Sequence, residues 1–243
     1  MTVVLVLAGI LADVIGTAGG ITSLVSYPAL LLAGATPLQA NIVNLVAMVA
    51  CWPASAAVSR AELRAVRRYV PAAVASGAIG GALGSLLLLH TEAAVFDLVV
   101  PYLVLSGSVA LVAQPWLSRR TGRTRPWAGY AATALVAMYG GYFGAGSGVM
   151  LLVVGLVLFD DRLPHANALK NMVNGGVSVA SAVVLTTAAP VRWGLALPLA
   201  AGLFAGSMLG PLVVRRLPAV LIRWAVAVLG LGLAADLGLS ART

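Results

Sequence analysis

Apolar residues run along this chain in long stretches, broken by short polar and glycine-rich interruptions. The runs fall at about 3–18, 20–34, 38–59, 69–89, 93–113, 127–145, 147–159, 165–188, 192–213 and 219–239. A helix crosses the hydrocarbon core in about 20 residues, so most of these segments are long enough to span a bilayer. Segments 20–34 and 147–159 are short for a full crossing. Each follows a glycine cluster, Gly16-Thr17-Ala18-Gly19-Gly20 in one case and Gly140-Gly141-Tyr142-Phe143-Gly144-Ala145-Gly146-Ser147-Gly148 in the other. Glycine at this density weakens a helix. The pattern therefore predicts a broken or re-entrant helix at each cluster, in an all-α polytopic protein of about eight to ten membrane segments.

Composition removes the alternatives. The chain has 243 residues, of which 61% are hydrophobic and 9% charged, with mean hydropathy +1.02. An average soluble domain carries roughly 25% charged residues. So few charges cannot cover a water-exposed surface. Disorder, a coiled coil and a disulfide-rich secreted domain are excluded. The single cysteine, Cys51, allows no internal disulfide and reads as a small packing residue. The net charge of +8 resides mainly in arginines of short loops, where it sets topology and meets anionic lipid, so no nucleic-acid partner is expected. The N-terminus lacks the basic region of a signal peptide, and the first apolar stretch is expected to stay in the mature protein.

The two halves match at a constant offset. Gly20 maps to Gly146, Ala40-Asn41 to Ala166-Asn167, and Gly80 and Gly84 to Gly206 and Gly210, all 126 positions apart. The predicted organisation is an N-terminal membrane repeat (1–115), a basic cytoplasmic connector (116–126) and a C-terminal membrane repeat (127–243). Arginines cluster at 60, 64, 67 and 68, at 119, 120, 123 and 125, and at 215, 216 and 223, while the loop at His90, Thr91 and Glu92 has none. The positive-inside rule puts the clusters in the cytoplasm and both termini outside. Arg192 and Arg242 fall outside, against that trend. The repeats then have inverted topology, which in secondary transporters places a site at the midplane between them.

Half-helix N-termini favour anions, and glycine lets a ligand approach the backbone. Gly20, Ser23, Gly146 and Ser147 stand at these breaks, with Ser26 beyond. After each short segment comes a polar stripe: Gln39, Asn41 and Asn44, then His165, Asn167, Lys170, Asn171 and Asn174. Spacings of three and four put the amides of each stripe on one helix face. Amides in hydrocarbon need partners or water, so the stripes face the interior as ligands or as glue between helices. Lys170 is the only lysine, and its charge complements an anion; snorkelling to the cytoplasmic interface is the alternative. Asp13, ahead of the first glycine cluster, is placed to pair with Lys170, carry a proton or cap the broken helix. The predicted substrate-binding set is Asn41, Asn44, Asn167, Lys170, Asn171, Gly20, Ser23, Gly146 and Ser147, with Asp13 and Lys170 for proton coupling. His90 and His165 make no metal site, and no nucleotide, hydrolase or metalloprotease motif occurs. No catalytic residue, metal or cofactor is expected. The glycine faces serve repeat packing or a homodimer equally well.

A glycine-rich break, a short segment, a Pro-containing turn and an Ala-Asn helix start occur in both halves. The first copy has the cluster at 16–20, Tyr27-Pro28-Ala29-Leu30, Pro37 and Ala40-Asn41; the second has the cluster at 144–148, Pro164 and Ala166-Asn167. In this the chain resembles the sulfite exporter TauE/SafE family of bacterial permeases over essentially its whole length. The second copy departs by lacking the proline of Tyr27-Pro28, with Gly155 near that place, and Lys170 has no assignment from the family pattern. The resemblance implies an inner-membrane carrier of small sulfur-containing anions such as sulfite, sulfoacetate or aromatic sulfonates. A passive anion channel, or a non-transporting membrane subunit or intramembrane enzyme, are the other expectations carried forward.

Overall fold

The computed structural model describes residues 1–19, 21–117, 126–160 and 162–214. Among these the secondary structure is all helical. Helix α1 (Thr2–Gly19) is followed by α2 (Thr22–Leu32) and α3 (Pro37–Ala47). A 3₁₀ turn, Met48–Ala50, joins α3 to α4 (Cys51–Val58), and α5 (Arg60–Val66) is a short amphipathic link. Then come α6 (Val70–Leu89), α7 (Ala93–Leu117), α8 (Pro126–Tyr142) and α9 (Ser147–Val154), the last ending in a π-helical turn, Gly155–Phe159. Helices α10 (Leu163–Ala188) and α11 (Trp193–Val214) follow, the last among the described residues. Nine of the ten apolar runs coincide with these elements; the tenth, 219–239, and Gly20 lie outside the described residues, as do 118–125 of the connector and Arg215, Arg216, Arg223 and Arg242.

Among the described residues, five helical stretches are long and apolar enough to cross a membrane: Pro37–Ala57, Val70–Leu89, Ala93–Ala113, Leu163–Ala188 and Trp193–Gly210. Thr2–Gly16, Thr22–Leu32 and Ser147–Phe159 are shorter apolar helices. The burial pattern is that of a bilayer protein. On α1, Val3, Leu7 and Leu11 recur every four residues and are more than half exposed, whereas Leu5, Ala12 and Asp13 are buried. Asn41, Asn44, Lys170 and Ser207 are buried too, while Ile79, Leu83, Leu87, Leu98 and Phe204 face outward. In water an apolar surface of this extent would aggregate. In lipid it is solvated by like material, and the polar groups gather inside.

Two helix pairs carry the frame. Helix α1 lies along α11, and α8 lies along α6, with α10 also packed on α6. Glycine sets the distance in both pairs. A Cβ on Gly84 would strike the Met138 carbonyl, one on Gly80 the Ala134 carbonyl, and one on Gly202 the Val6 carbonyl. Close backbone approach of this kind gains dispersion contacts that lipid tails cannot match. Between the pairs, a core of Leu24, Tyr27, Leu30, Val43, Phe96, Phe143 and Leu199 is buried. A second cluster joins Tyr69, Phe159, Leu169 and Val173.

The break between α8 and α9 is built on glycine backbone. Gly144 (φ 87°) and Gly146 (φ 76°) both adopt left-handed backbone, which disfavours any side chain. The Tyr139 hydroxyl braces the loop by donating to Ala145 O at 2.7 Å. Helix α1 ends at an equally tight approach to α2, where a Cβ on Gly16 would meet the Thr22 hydroxyl.

A polar cleft between the first break and helix α10

The first break, the α3–α4 kink and the first half of α10 enclose a cleft with about 520 Å³ of empty space, part of it open to the outside. Asp13, Thr22, Cys51, Trp52, Lys170, Asn171 and Asn174 are among its lining residues. Helix α10 begins at Leu163 with Pro164 in its first turn, where a missing N–H costs no helical bond. The spacing of its polar residues then brings Lys170, Asn171 and Asn174 to one wall, while Leu169 and Val173 turn to the core. Lys170 is only 4% exposed. Its side chain lines the cleft.

Asp13 forms the opposite wall. Its carboxylate accepts from the Thr22 hydroxyl at 3.1 Å, the Cys51 thiol at 3.4 Å and the Ser207 hydroxyl at 2.5 Å. Three elements besides α1 thus orient one carboxylate. Asp13 and Lys170 act on each other electrostatically across the cleft. Among the described residues they form no direct ion pair; the one such pair is His165 with Asp160, at 3.3 Å. Asp160 also accepts the Arg162 N–H, so the turn before α10 is self-capped.

Other residues of the predicted set are held in internal bonds. Asn44 is fully buried: its Nδ2 donates to Ser23 Oγ at 3.1 Å, and the Ser26 hydroxyl lies 2.5 Å from its Oδ1. The Ser23 hydroxyl lies 3.3 Å from the Met48 sulfur. Asn41, also fully buried, donates from Nδ2 to Tyr142 O at 2.8 Å. Ser147 directs both its N–H and its hydroxyl to Gly144 O, and Gly146 packs on Gly107. Asn167 is half-buried outside the cleft lining, and Asn171 reaches the Ser59 hydroxyl at 3.4 Å. The structure therefore brings Asp13, Lys170 and Asn171 together, and keeps Asn41, Asn44, Ser23 and Ser147 in the protein's own network.

Sequence reasoning missed Thr22, Cys51, Trp52 and Ser207 as cleft or carboxylate partners. Cys51 is more than packing, since its thiol meets Asp13. The signal was weak: Thr22 and Cys51 sit within apolar runs, and Ser207 comes from the far end of the chain.

The chain matches the family model described as sulfite exporter TauE/SafE over residues 1–237. It is 28% identical to a probable membrane transporter protein of Haemophilus influenzae, over 90% of this chain and 88% of that one. It is 25% identical to the probable membrane transporter protein YfcA of Escherichia coli, over 90% of this chain and 83% of the relative. A probable membrane transporter protein, ORF9, of a Sinorhizobium species is 25% identical over 85% and 80% of the two chains. No solved structure gives a significant match. With nearly its whole length covered by the family model, this multi-pass membrane protein belongs to the sulfite exporter TauE/SafE family.

Proposed function

We propose that the protein is a secondary transporter of small sulfur-containing anions, sulfite or an organosulfonate, working by alternating access in the bacterial inner membrane with both termini outside. The family and the names of the relatives support a membrane transporter. The observation that carries the anion reading is Lys170, a buried ammonium facing a polar cleft. Burying a charge is costly, and a lysine in hydrocarbon persists where a partner or water compensates it. An oxyanion in the cleft supplies that partner. Asn171 and Asn174 amides and the Thr22 hydroxyl offer hydrogen bonds to its oxygens.

Asp13 gives the reading a coupling step. While ionised, Asp13 neutralises much of the field of Lys170. A proton taken up by Asp13 leaves the Lys170 charge to the anion, so proton and anion enter the cleft together. The 126-residue offset supports the two-way geometry. It relates α1 to α8 and α11 to α6, and these elements form the two glycine-packed pairs. We read them as inverted repeats that rock about the cleft.

The test is flux into proteoliposomes holding purified protein. Saturable sulfite uptake, counterflow, and acceleration by an inward proton gradient are expected. Flux that never saturates and shows no counterflow would replace the carrier with a passive anion channel. No flux of sulfite or of any small sulfonate would end the reading.

A further inference from the structure

Four buried side-chain oxygens find no hydrogen-bond partner among the described residues: Tyr27 Oη, Asn41 Oδ1, Glu62 Oε2 and Asp97 Oδ1. Such atoms are costly, and native interiors rarely leave them unsatisfied. Three of the four stand on elements packed round one aromatic cluster. The Tyr27 ring meets Phe143 edge-on at 5.3 Å, Phe143 lies 6.2 Å from Phe96, and Phe96 lies 6.1 Å from Tyr142.

Asn41 is tied to the same place, and its orientation is fixed by chemistry. Its amide nitrogen donates to Tyr142 O at 2.8 Å. A carbonyl only accepts, so the nitrogen faces it and Oδ1 turns away as an acceptor with no donor. Helices α2 and α3 pack together across a short turn at 33–36, with Tyr27 on the first and Asn41 on the second. Asp97 follows Phe96 on α7 and acts electrostatically on the Tyr27 hydroxyl. Asp97 is half-buried, whereas Tyr27 is 2% and Asn41 0% exposed. The group thus has one member nearer the surface than the other two. Arg192, the arginine that reaches this turn, binds Gly34 O and Gln39 Oε1. It makes no ion pair with Asp97 among the described residues.

An amide oxygen, a phenol oxygen and a carboxylate are hard donors, and together they carry one negative charge. That set repels an anion. It suits a small cation of one charge, which is coordinated by oxygen and fully neutralised by a single carboxylate. We propose that Tyr27, Asn41 and Asp97 form a site for a small alkali cation, Na⁺, on α2, α3 and α7, separate from the Lys170 cleft. The site stands by itself; its use as a coupling ion rests on the transporter reading. Asn41 then serves the cation and not the anion, and it links the site to the α8–α9 loop through Tyr142 O.

The test is equilibrium binding of ²²Na⁺ to the purified full-length protein in detergent, with choline as the replacement cation. Saturable binding of about one ion per chain is expected, with Asp97→Asn and Asn41→Ala weaker by about tenfold or more. Lys170→Ala should bind Na⁺ as the wild type does. Should Asp97→Asn fail to purify as a monodisperse protein, Tyr27→Phe carries the test, because it keeps the ring against Phe143 and removes one ligand oxygen. Absence of saturable ²²Na⁺ binding in the wild type would overturn the proposal, as would equal binding by the well-folded variants. Displacement of ²²Na⁺ by equimolar Ca²⁺ would also overturn it, since the charge count would then be wrong. Binding is read without any anion, so failure here leaves the anion reading standing, and failed sulfite flux leaves this site standing.

Discussion

The α1–α11 pair and the α8–α6 pair are built alike and loaded differently. Both pack through glycines, and their positions correspond at the 126-residue offset. Asp13 on α1 corresponds to Tyr139 on α8, and Ser207 on α11 to Gly81 on α6. Thr22 and Cys51, which donate to Asp13, correspond to Gly148 and Val177. So one pair centres on a carboxylate held by three side chains. In the other, Gly81 packs on Val177, and Tyr139 bonds backbone carbonyls of Leu103 and Ala145. The polar helices show the reverse loading. Asn44 on α3 is closed into a network with Ser23 and Ser26, and its counterpart Lys170 on α10 faces the cleft. A common frame thus separates packing from chemistry, and the charged groups from the two halves meet at one cleft.

Removing the charge should break this contrast most strongly. Lys170→Ala is expected to abolish saturable anion flux, by about a hundredfold or more, as for loss of a buried charged contact worth about 3 kcal/mol. Proteoliposome uptake at several concentrations checks it. Asp13→Asn keeps the shape of the side chain and most of its hydrogen bonds. It should leave downhill exchange measurable but erase the acceleration by a proton gradient. An unchanged gradient response would remove Asp13 from coupling.

Steric changes sharpen the comparison further. A Cβ at Gly175 would run into the Trp52 ring, so Gly175→Ala should push Trp52 into the cleft and reduce flux severalfold with the fold intact. In the α8–α6 pair the neighbour is backbone. Gly84→Ala meets the Met138 carbonyl and should cost about 1–3 kcal/mol of stability, read as a lower melting temperature in detergent. The smallest effect belongs to Tyr139→Phe. It removes a hydroxyl bonded to Ala145 O and should cost about 1 kcal/mol. Gradient-driven transport should be untouched, in contrast to Asp13→Asn.

The helices were legible because burial in lipid needs long apolar runs, and nine of the ten fall on helical elements. The second break was legible too, since Gly144 and Gly146 take backbone that other residues avoid. Lys170 stood out as the single lysine, in a segment where charge is costly. The partners of Asp13 were not legible. Ser207 is 194 residues away along the chain, and only the close glycine packing of α1 on α11 brings it to 2.5 Å. Spacing put Asn41 and Asn44 on one face, but it could not tell that Ser23 and Ser26 close both ends of the Asn44 amide while Tyr142 O holds only the nitrogen of Asn41. Tyr27 and Asp97 gave no sign as a pair, since 70 positions separate them and the aromatic cluster that joins them is tertiary.

The central claim is that Lys170 binds the anion. Its most direct test is the concentration dependence of sulfite flux in proteoliposomes, wild type beside Lys170→Ala, with Tyr139→Phe as the structural control. Saturable flux in the wild type and the control, lost in monodisperse Lys170→Ala protein, is the predicted result. Saturable flux of equal affinity in Lys170→Ala would contradict the account.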